Sequence, residues 1–414
     1  MKLPASSLLL FLTLAAPAQP LTLSDCLRLA ASVPSPVSIA RQEARIAALS
    51  VTAARANFLP QSAFSGGMIY NTPRADRQAF VSFNGAREYI AQLGVALELD
   101  TSGRLRAAYA RAKTDRDSAT TAIALNERDL RRAVTQAFYR ALLTRKLADA
   151  AHASLAESQS FETRVTALVK GGEAAQADLI KAQSQVAAFD QFHRAATLDA
   201  RLANQELASF WTADVDTPLN LADDLDKTEP PPTEPPTAYL RRAEFRLFDL
   251  QKLGFTLDAK RERAALLPQV NLGYQYGLDA NQFRWRERGA ALVATVHVPI
   301  FDWFRARSTA QQFTEKAQQI EATRKITERA FSRELESAKS RLASINEQLT
   351  LAQSQVDLSE KNYKLARLRY EGGEGPALDV VLAQAQLQQA RANHFNTLFQ
   401  FVTARADLEV AAGR

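Results

Sequence analysis

Two aspartates at matched positions are the residues of this sequence whose type and spacing could do chemistry. Asp178 and Asp379 each stand six residues after a glycine pair, in segments repeated at a shift of 201 residues. A carboxylate in the first turn of a helix is favoured by about 0.3–1 kcal/mol, because the helix dipole is positive there. A ring of such carboxylates around a narrow opening would instead bind cations and hinder anions, an interpretation that depends on how copies of the chain assemble.

Signatures of catalysis are missing from the sequence, which contains no G-x-S-x-G, phosphate loop or dinucleotide fingerprint. The single Cys26 excludes an intrachain disulfide, and we interpret it as a small buried helix residue. We interpret His394 as a helix–helix contact and not as a ligand. The sequence therefore predicts a protein that is not an enzyme and that has no cofactor or metal. The four histidines do not have the spacing of a zinc site: His152, His193, His297 and His394.

The charges are mixed in sign along the whole chain. Its 414 residues contain 51 Lys and Arg against 45 Asp and Glu, so the net charge is only +6. A nucleic-acid-binding protein more often concentrates basic residues on one face. We interpret these charges as the solvated surface of helices and expect no nucleic-acid partner.

The first 18 residues have the three parts of an export signal. Lys2 precedes an apolar run over residues 8–16, and Ala16-Pro17-Ala18 offers an A-x-A cleavage site. That run is too short to span a bilayer, which requires ~20 apolar residues. The sequence therefore predicts a signal peptide over residues 1–18 and no later transmembrane helix.

The remaining chain is a duplicated unit. The segment 56–61 recurs at 264–269, and the segment 171–186 recurs at 372–387 in the same order and at nearly the same shift. A proline-rich stretch, 228–237, separates the two copies as a stiff spacer. Internal duplication of this kind predicts two structurally equivalent halves. The predicted units are residues 19–227 and 238–414.

Long stretches without glycine or proline predict long helices. None of either residue occurs over 104–170 or 300–371, and each stretch ends at a glycine pair. Each half is therefore predicted to contain a helical hairpin, over about 101–211 and about 303–411. Apolar residues spaced alternately by three and four predict left-handed coiled-coil packing. A second row beside this seam suits contact with two neighbours: Leu351, Leu358 and Leu365.

Period-two alternation before each hairpin predicts strands. Apolar residues alternate with polar or glycine residues over 270–278, apolar residues stand at every second position over 290–298, and the first half repeats the scheme less cleanly. We predict β-hairpins over about 61–100 and about 269–299, with a membrane-facing side. A small soluble hairpin packed on helices is the alternative. Four strands cannot enclose a lumen, since the smallest membrane barrels have ~8, so a barrel would be shared between two or three chains.

The order of these features resembles the TolC-like outer-membrane efflux protein family over essentially the whole chain after the signal. The stretch Glu98–Arg106 is similar to the strand-to-helix junction of that family, and Val298–Asp302 is similar to its second-half counterpart. The family's usual glycine is replaced there, in the stretch Trp303-Phe304-Arg305. The resemblance implies a homotrimer with a twelve-stranded β-barrel in the outer-membrane lipid and a twelve-helix α-barrel in the periplasm. It also implies a passive exit duct for small molecules, metal ions or polypeptides, served by an inner-membrane pump and a periplasmic adaptor.

The same resemblance implies roles for the hairpin tips. Asp178 and Asp379 match acidic residues that ring the pore entrance, and Tyr370 matches a tyrosine that links toward the first tip, so we expect a contact between Tyr370 and Asp178. Lys181 stands where a second acidic residue is expected, and Leu382 stands there in the second half. The tip residues are implied as the surface that docks the adaptor: Gly171, Gly172, Glu173, Gly372, Gly373 and Glu374.

A soluble periplasmic coiled-coil scaffold or adaptor is the rival hypothesis. An adaptor would normally carry one helical hairpin flanked by small β domains. This sequence instead carries two equivalent halves with alternating strands. Recovery of the protein wholly in the soluble fraction would favour the scaffold.

Overall fold

The computed structural model describes residues 20–70, 87–226 and 232–414. The predicted signal peptide, the segment 71–86 between the first two strands and the first part of the proline-rich stretch lie outside the described residues. The helices and strands, in chain order, are α1 Leu23–Ser32, α2 Pro36–Ala56, β1 Gln61–Tyr70, β2 Arg87–Leu99, α3 Arg104–Lys170, α4 Gln176–Ala208, α5 Ala243–Ala264, β3 Gln269–Ala280, β4 Gly289–His297, α6 Arg305–Glu371 and α7 Ala377–Ala411.

The duplication predicted from the sequence is confirmed in the order of the elements. The series α2, β1, β2, α3, α4 is repeated as α5, β3, β4, α6, α7. Helices α3 and α6 each contain 67 residues, which corresponds to a length of roughly 100 Å at 1.5 Å per residue. The absence of glycine and proline from both segments explains why neither helix breaks.

The long helices lie side by side in a layer. Helix α3 packs against α4 and α7, and α7 packs against α6, so the order across the layer is α4, α3, α7, α6. The seam predicted for α6 and α7 is confirmed by the burial of Leu342, Ile345, Val380 and Leu387. The second row is left uncovered in the single chain. Leu351, Leu358 and Leu365 are all at least 60% exposed.

The short helix α1 closes one end of the hydrophobic core. A capping box starts this helix: the Asp25 N–H donates to the Thr22 hydroxyl, and the Asp25 carboxylate accepts from the Thr22 N–H. Cys26 is fully buried against Phe138 and its neighbours on α3, as the sequence predicts. Burial raises the pKa of the Cys26 thiol to about 11, so the thiolate is disfavoured.

An aspartate organises each junction between a strand and a long helix. In the first half, the Asp100 carboxylate accepts from the Leu105 N–H at 2.9 Å. In the second half, the Asp302 carboxylate accepts from the Ala306 N–H at 2.9 Å. These bonds satisfy N–H groups that a helix start leaves without partners.

The two strand-to-helix junctions differ in the conformational energy of their backbone. Gly103 precedes α3 with φ of 80°, in the left-handed region that glycine adopts freely. Before α6 the left-handed residues are Trp303 and Phe304, with φ of 55° and 61°. A residue with a side chain costs about 1–2 kcal/mol in this conformation. The second junction is therefore strained where the first is relaxed.

None of the helices in the described ranges has an apolar stretch long enough to cross a bilayer.

Helix α7 generates a prediction about acid stability. Burial lowers the pKa of His394, although Asp226 and Asp357 act in the opposite direction. The folded protein then binds fewer protons than the unfolded chain, so its stability is present above the ordinary pKa of about 6.5 and is lost as the pH falls. We expect the loss of thermal stability between pH 7.5 and pH 5.5 to be smaller in His394→Gln than in the wild type. His297→Gln, at an exposed histidine on β4, is the control for the removal of an imidazole, and an equal effect of both substitutions would contradict the assignment to His394.

Candidate functional site

The two hairpin tips are built in the same way. At the first tip, the Gly172 N–H donates to the Val169 carbonyl at 3.1 Å and the Glu173 N–H donates to the Leu168 carbonyl at 2.9 Å. This pattern ends a helix with one left-handed residue, and Gly172 supplies it with φ of 78°. Gly171 has an ordinary helical φ of −76°, so only the second glycine of the pair is needed for its conformation.

The second tip repeats this geometry. The Gly373 N–H donates to the Tyr370 carbonyl at 3.0 Å, and the Glu374 N–H donates to the Arg369 carbonyl at 2.8 Å. Gly373 has φ of 74°, whereas Gly372 is helical with φ of −83°. Apart from the glycine itself and its two chain neighbours, no heavy atom of the described residues lies within 4 Å of the position that a Cβ would take at Gly172 or Gly373. Both tips therefore present open backbone to their surroundings.

The two aspartates that follow the tips differ in their partners. Asp178 lies in the first turn of α4, and its carboxylate is 3.2 Å from the Lys181 ammonium. Asp379 lies in the first turn of α7, is exposed, and has no cationic side chain within 4 Å among the described residues. The position that the resemblance expects to be acidic thus holds a lysine that partly neutralises Asp178. At the second tip, the carboxylate of Asp379 has no such cationic partner in the described part of the chain.

Tyr370 lies where the two hairpins meet. Its side chain is 8% exposed, and its ring meets the Phe161 ring edge-on with centroids 5.3 Å apart. Burial raises the pKa of Tyr370, and the negative charge of Asp178 raises it further. Asp178 is thus near enough to act on the hydroxyl, but that hydroxyl has no hydrogen-bond partner in the described residues of the single chain. A direct bond between Tyr370 and Asp178 stays a prediction.

Sequence reasoning missed the polar link between the two halves. The Gln384 side chain on α7 is 1% exposed, and its amide N–H donates to the Ser154 carbonyl on α3 at 3.0 Å. The Ser154 hydroxyl donates in turn to the Gln388 amide oxygen at 2.6 Å. Ala383, which belongs to the apolar seam predicted for α7, directly precedes Gln384, and this position is a sequence signal that Gln384 is buried. Nothing in the sequence, however, predicts that α7 packs against α3.

The four strands form one antiparallel sheet in the order β1, β2, β3, β4. Their register places Phe64 opposite Leu93, Leu93 opposite Tyr276, and Tyr276 opposite Ala290. The apolar rows predicted separately for each strand therefore join into one continuous apolar face. Much of this face is uncovered, with Leu292 79% exposed.

Both the sheet and the helical layer end in uncovered edges. In the described ranges, β1 and β4 each pair with a strand on one side only. Helices α4 and α6 form the outer edges of the helical layer. Helix α4 carries large apolar side chains that are more than half exposed: Ile180, Phe192, Leu198 and Leu202. An unpaired strand edge can pair with another chain, and a large exposed apolar patch marks an interaction site.

Comparison with known proteins agrees with this architecture. The sequence profile of the outer membrane efflux protein family matches residues 37–212 and 250–414, which include both helical hairpins and all four strands. The chain belongs to the outer membrane efflux protein family.

Individual members of the family support the assignment. The pyoverdine export outer membrane protein OpmQ of Pseudomonas putida is 26% identical over 320 residues, which cover 73% of this chain and 66% of OpmQ. The open state of the MtrE outer membrane channel of Neisseria gonorrhoeae superposes with a TM-score of 0.84 at 18% identity, covering 94% of this chain and 88% of MtrE. The CmeC outer membrane channel of Campylobacter jejuni superposes with a TM-score of 0.83 at 15% identity, covering 94% of this chain and 85% of CmeC. The fold of this efflux protein is thus that of outer membrane channels.

The described residues of this family member offer no cluster of three or more His, Cys, Asp or Glu side chains that could hold a metal ion. The features that stand out are surfaces: two charged tips, an apolar sheet face and four uncovered edges.

The tip geometry generates a matched pair of substitutions. Gly172→Ala forces a side chain into the left-handed region and should destabilise the fold by about 1–2 kcal/mol. Gly171→Ala keeps a helical φ and meets its nearest neighbours at 3.5 Å, an ordinary contact distance, so it should leave stability nearly unchanged. Denaturant unfolding followed by circular dichroism measures both, and equal destabilisation by the two substitutions would contradict the assigned tip conformation.

Proposed function

We propose that three copies of this chain close into one continuous channel across the outer membrane. The observation that carries the proposal is the four-stranded sheet with one apolar face and an unpaired strand at each edge. A sheet in lipid must pair all its backbone groups, so the edges have to join other chains. Two copies would supply eight strands and three would supply twelve. The family resemblance favours three.

The helical layer supports the same closure. In a rotationally symmetric ring, one edge of each copy meets the opposite edge of the next. Here β1 of one copy would pair with β4 of its neighbour, and α4 would pack against the neighbour's α6. The leucine row of α6 and the apolar row of α4 would then be buried together, which explains why both are uncovered in the single chain.

The tips would form the periplasmic entrance of this channel. Three copies each of Asp178 and Asp379 would concentrate negative potential at a narrow opening. Asp379 would make the larger contribution to this negative potential, since Lys181 offsets the charge of Asp178. The exposed tips at Gly171, Gly172 and Glu173, and at Gly372, Gly373 and Glu374, would dock a periplasmic adaptor that connects the duct to an inner-membrane pump.

The channel would act as a passive exit duct and not as an enzyme. The relative OpmQ is named for pyoverdine export, which supports a small organic compound as cargo here. A soluble scaffold is the weaker alternative, because it would expose the whole apolar sheet face to water.

Disulfide cross-linking tests the proposed closure. Ile180 on α4 lies eight residues after Gly172, and Leu365 on α6 lies eight residues before Gly373. Both are therefore about 12 Å from their tips. We expect Ile180→Cys combined with Leu365→Cys to form covalent dimers and trimers on oxidation. They would be read on a non-reducing gel, and the native Cys26 is buried too deeply to compete.

A second pair of cysteines tests whether cross-linking depends on the two thiols being at the same distance from the tips. Leu202→Cys combined with Leu365→Cys places one thiol about 45 Å from the tip along α4, so no cross-linked trimer should form. A protein that stays monomeric with both pairs would refute the closure of α4 on α6.

Channel recordings test the charge at the entrance. We expect Asp379→Asn to lower cation selectivity and to weaken the block by divalent cations several-fold in planar bilayers, since it removes an uncompensated charge from each copy. Glu43→Gln, an exposed carboxylate on α2 far from the tips, makes the same change of charge and should leave the recordings unchanged. Unaltered selectivity in Asp379→Asn would remove the proposed ring.

A further inference from the structure

The junction between β4 and α6 carries an exposed aromatic cluster that the proposed channel does not use. The segment 300–307 is named here the second elbow. Ile300 is 93% exposed and Trp303 is 82% exposed, and both Phe301 and Phe304 are exposed as well. The rings touch one another, with centroids 4.8 Å apart for Phe301 and Trp303. They cover little of the rest of the chain.

The second elbow combines backbone strain with missing packing. Trp303 and Phe304 both adopt the left-handed conformation, which is unfavourable for residues with large side chains. Strain of this kind persists where a surrounding interaction compensates it, and it is a reason to look for a function. The Asp302 carboxylate caps the helix start here, but the Trp303 and Phe304 side chains are not buried within the described chain, so their surface is left for a partner outside it.

Because the two halves are duplicated, the charged residues at the start of α6 can be compared with their equivalents at the start of α3. In the first half, Arg104 pairs with Glu98 at 2.6 Å and Arg106 pairs with Asp100 at 2.8 Å. The equivalent residues at the start of α6 are Arg305 and Arg307. They are exposed and have no carboxylate partner within 4 Å in the described part of the chain. The second elbow therefore offers two free cationic groups beside its aromatic rings.

We propose that the second elbow is an anchor for anionic phospholipid, in the leaflet of the outer membrane that faces the helical layer. Tryptophan rings are favoured at the boundary between acyl chains and headgroups, and phenylalanine is common on the apolar face of segments that lie at this boundary. Arginine binds phosphate oxygens through two parallel hydrogen bonds. The aromatic rings would enter the headgroup boundary, and Arg305 and Arg307 would bind lipid phosphates. This inference rests on the proposed embedding of the sheet in the membrane.

Lipid fits the second elbow better than a neighbouring copy of the chain. Val296 belongs to the apolar face within β4, and Val298 and Ile300 follow it at the same spacing of two residues, just beyond the end of the strand. That row lies on the face of the sheet and not on its hydrogen-bonding edge, so a strand added beside β4 does not cover it. The aromatic cluster extends this lipid-facing row beyond the end of the strand.

Quenching of tryptophan fluorescence by brominated lipid tests the anchor. The trimer would be reconstituted in vesicles of phosphatidylethanolamine and phosphatidylglycerol, with bromine near the headgroup of one lipid at a time. The chain has three tryptophans, so the contribution of Trp303 is the difference between the wild type and Trp303→Phe. We expect this contribution to fall about twofold with brominated phosphatidylglycerol, and less with brominated phosphatidylethanolamine at the same mole fraction.

Charge variants test the role of the arginines. Replacing both in Arg305→Gln with Arg307→Gln should abolish the preference for phosphatidylglycerol. The matched control, Arg329→Gln with Arg333→Gln, makes the same change of charge about 36 Å farther along α6 and should keep it. If the first pair fails to assemble, the comparison of the two lipids in the wild-type protein still decides.

The outcomes separate this proposal from the proposed channel. Trp285 lies at the other end of β4 and reports on membrane embedding by itself through Trp285→Phe. Quenching of Trp285 without any quenching of Trp303 would overturn the anchor and leave the channel intact, with the elbow facing a neighbouring copy or water. Equal quenching of Trp303 by the two lipids would overturn the recognition of anionic lipid. Absence of quenching at both tryptophans would count against the channel itself.

Discussion

The need to pair backbone groups at the edges of a sheet is the constraint on which the rest of this structure depends. Four antiparallel strands leave β1 and β4 half paired, and in lipid each unpaired group costs several kcal/mol. Closure through copies of the same chain satisfies both edges at once. The helices then have to follow the symmetry that the strands impose, so the uncovered apolar rows of α4 and α6 become complementary surfaces of one assembly.

Most of the fold could be predicted from the sequence because its signals are local. The absence of glycine and proline predicts α3 and α6, and the alternation of apolar residues predicts all four strands and the face that each exposes. The pairing of α3 with α7 could not be predicted, since it depends on contacts more than 200 residues apart, such as Gln384 with Ser154. The tip residues were found through the duplication, but the salt bridge of Lys181 and the burial of Tyr370 against Phe161 needed coordinates.

The two halves share a plan but differ where they meet solvent and membrane. At its tip and at its strand-to-helix junction, the first half pairs its charges: Lys181 offsets Asp178, and Glu98 and Asp100 pair with Arg104 and Arg106. The second half leaves Asp379, Arg305 and Arg307 without partners in the described chain. Duplication supplied the repeated scaffold, and at these two sites the unpaired charges lie in the second half.

The equal length of α3 and α6 has a consequence for how such a protein can change in evolution. Both helices contain 67 residues, so the two tips are carried to the same depth and the pair works as a ruler across the compartment that it crosses. An insertion of seven residues keeps the apolar seam in phase and lengthens a helix by about 10 Å. It keeps the tips level only when all four long helices receive it together. A longer span that keeps both the seam and level tips therefore requires matched insertions in all four helices.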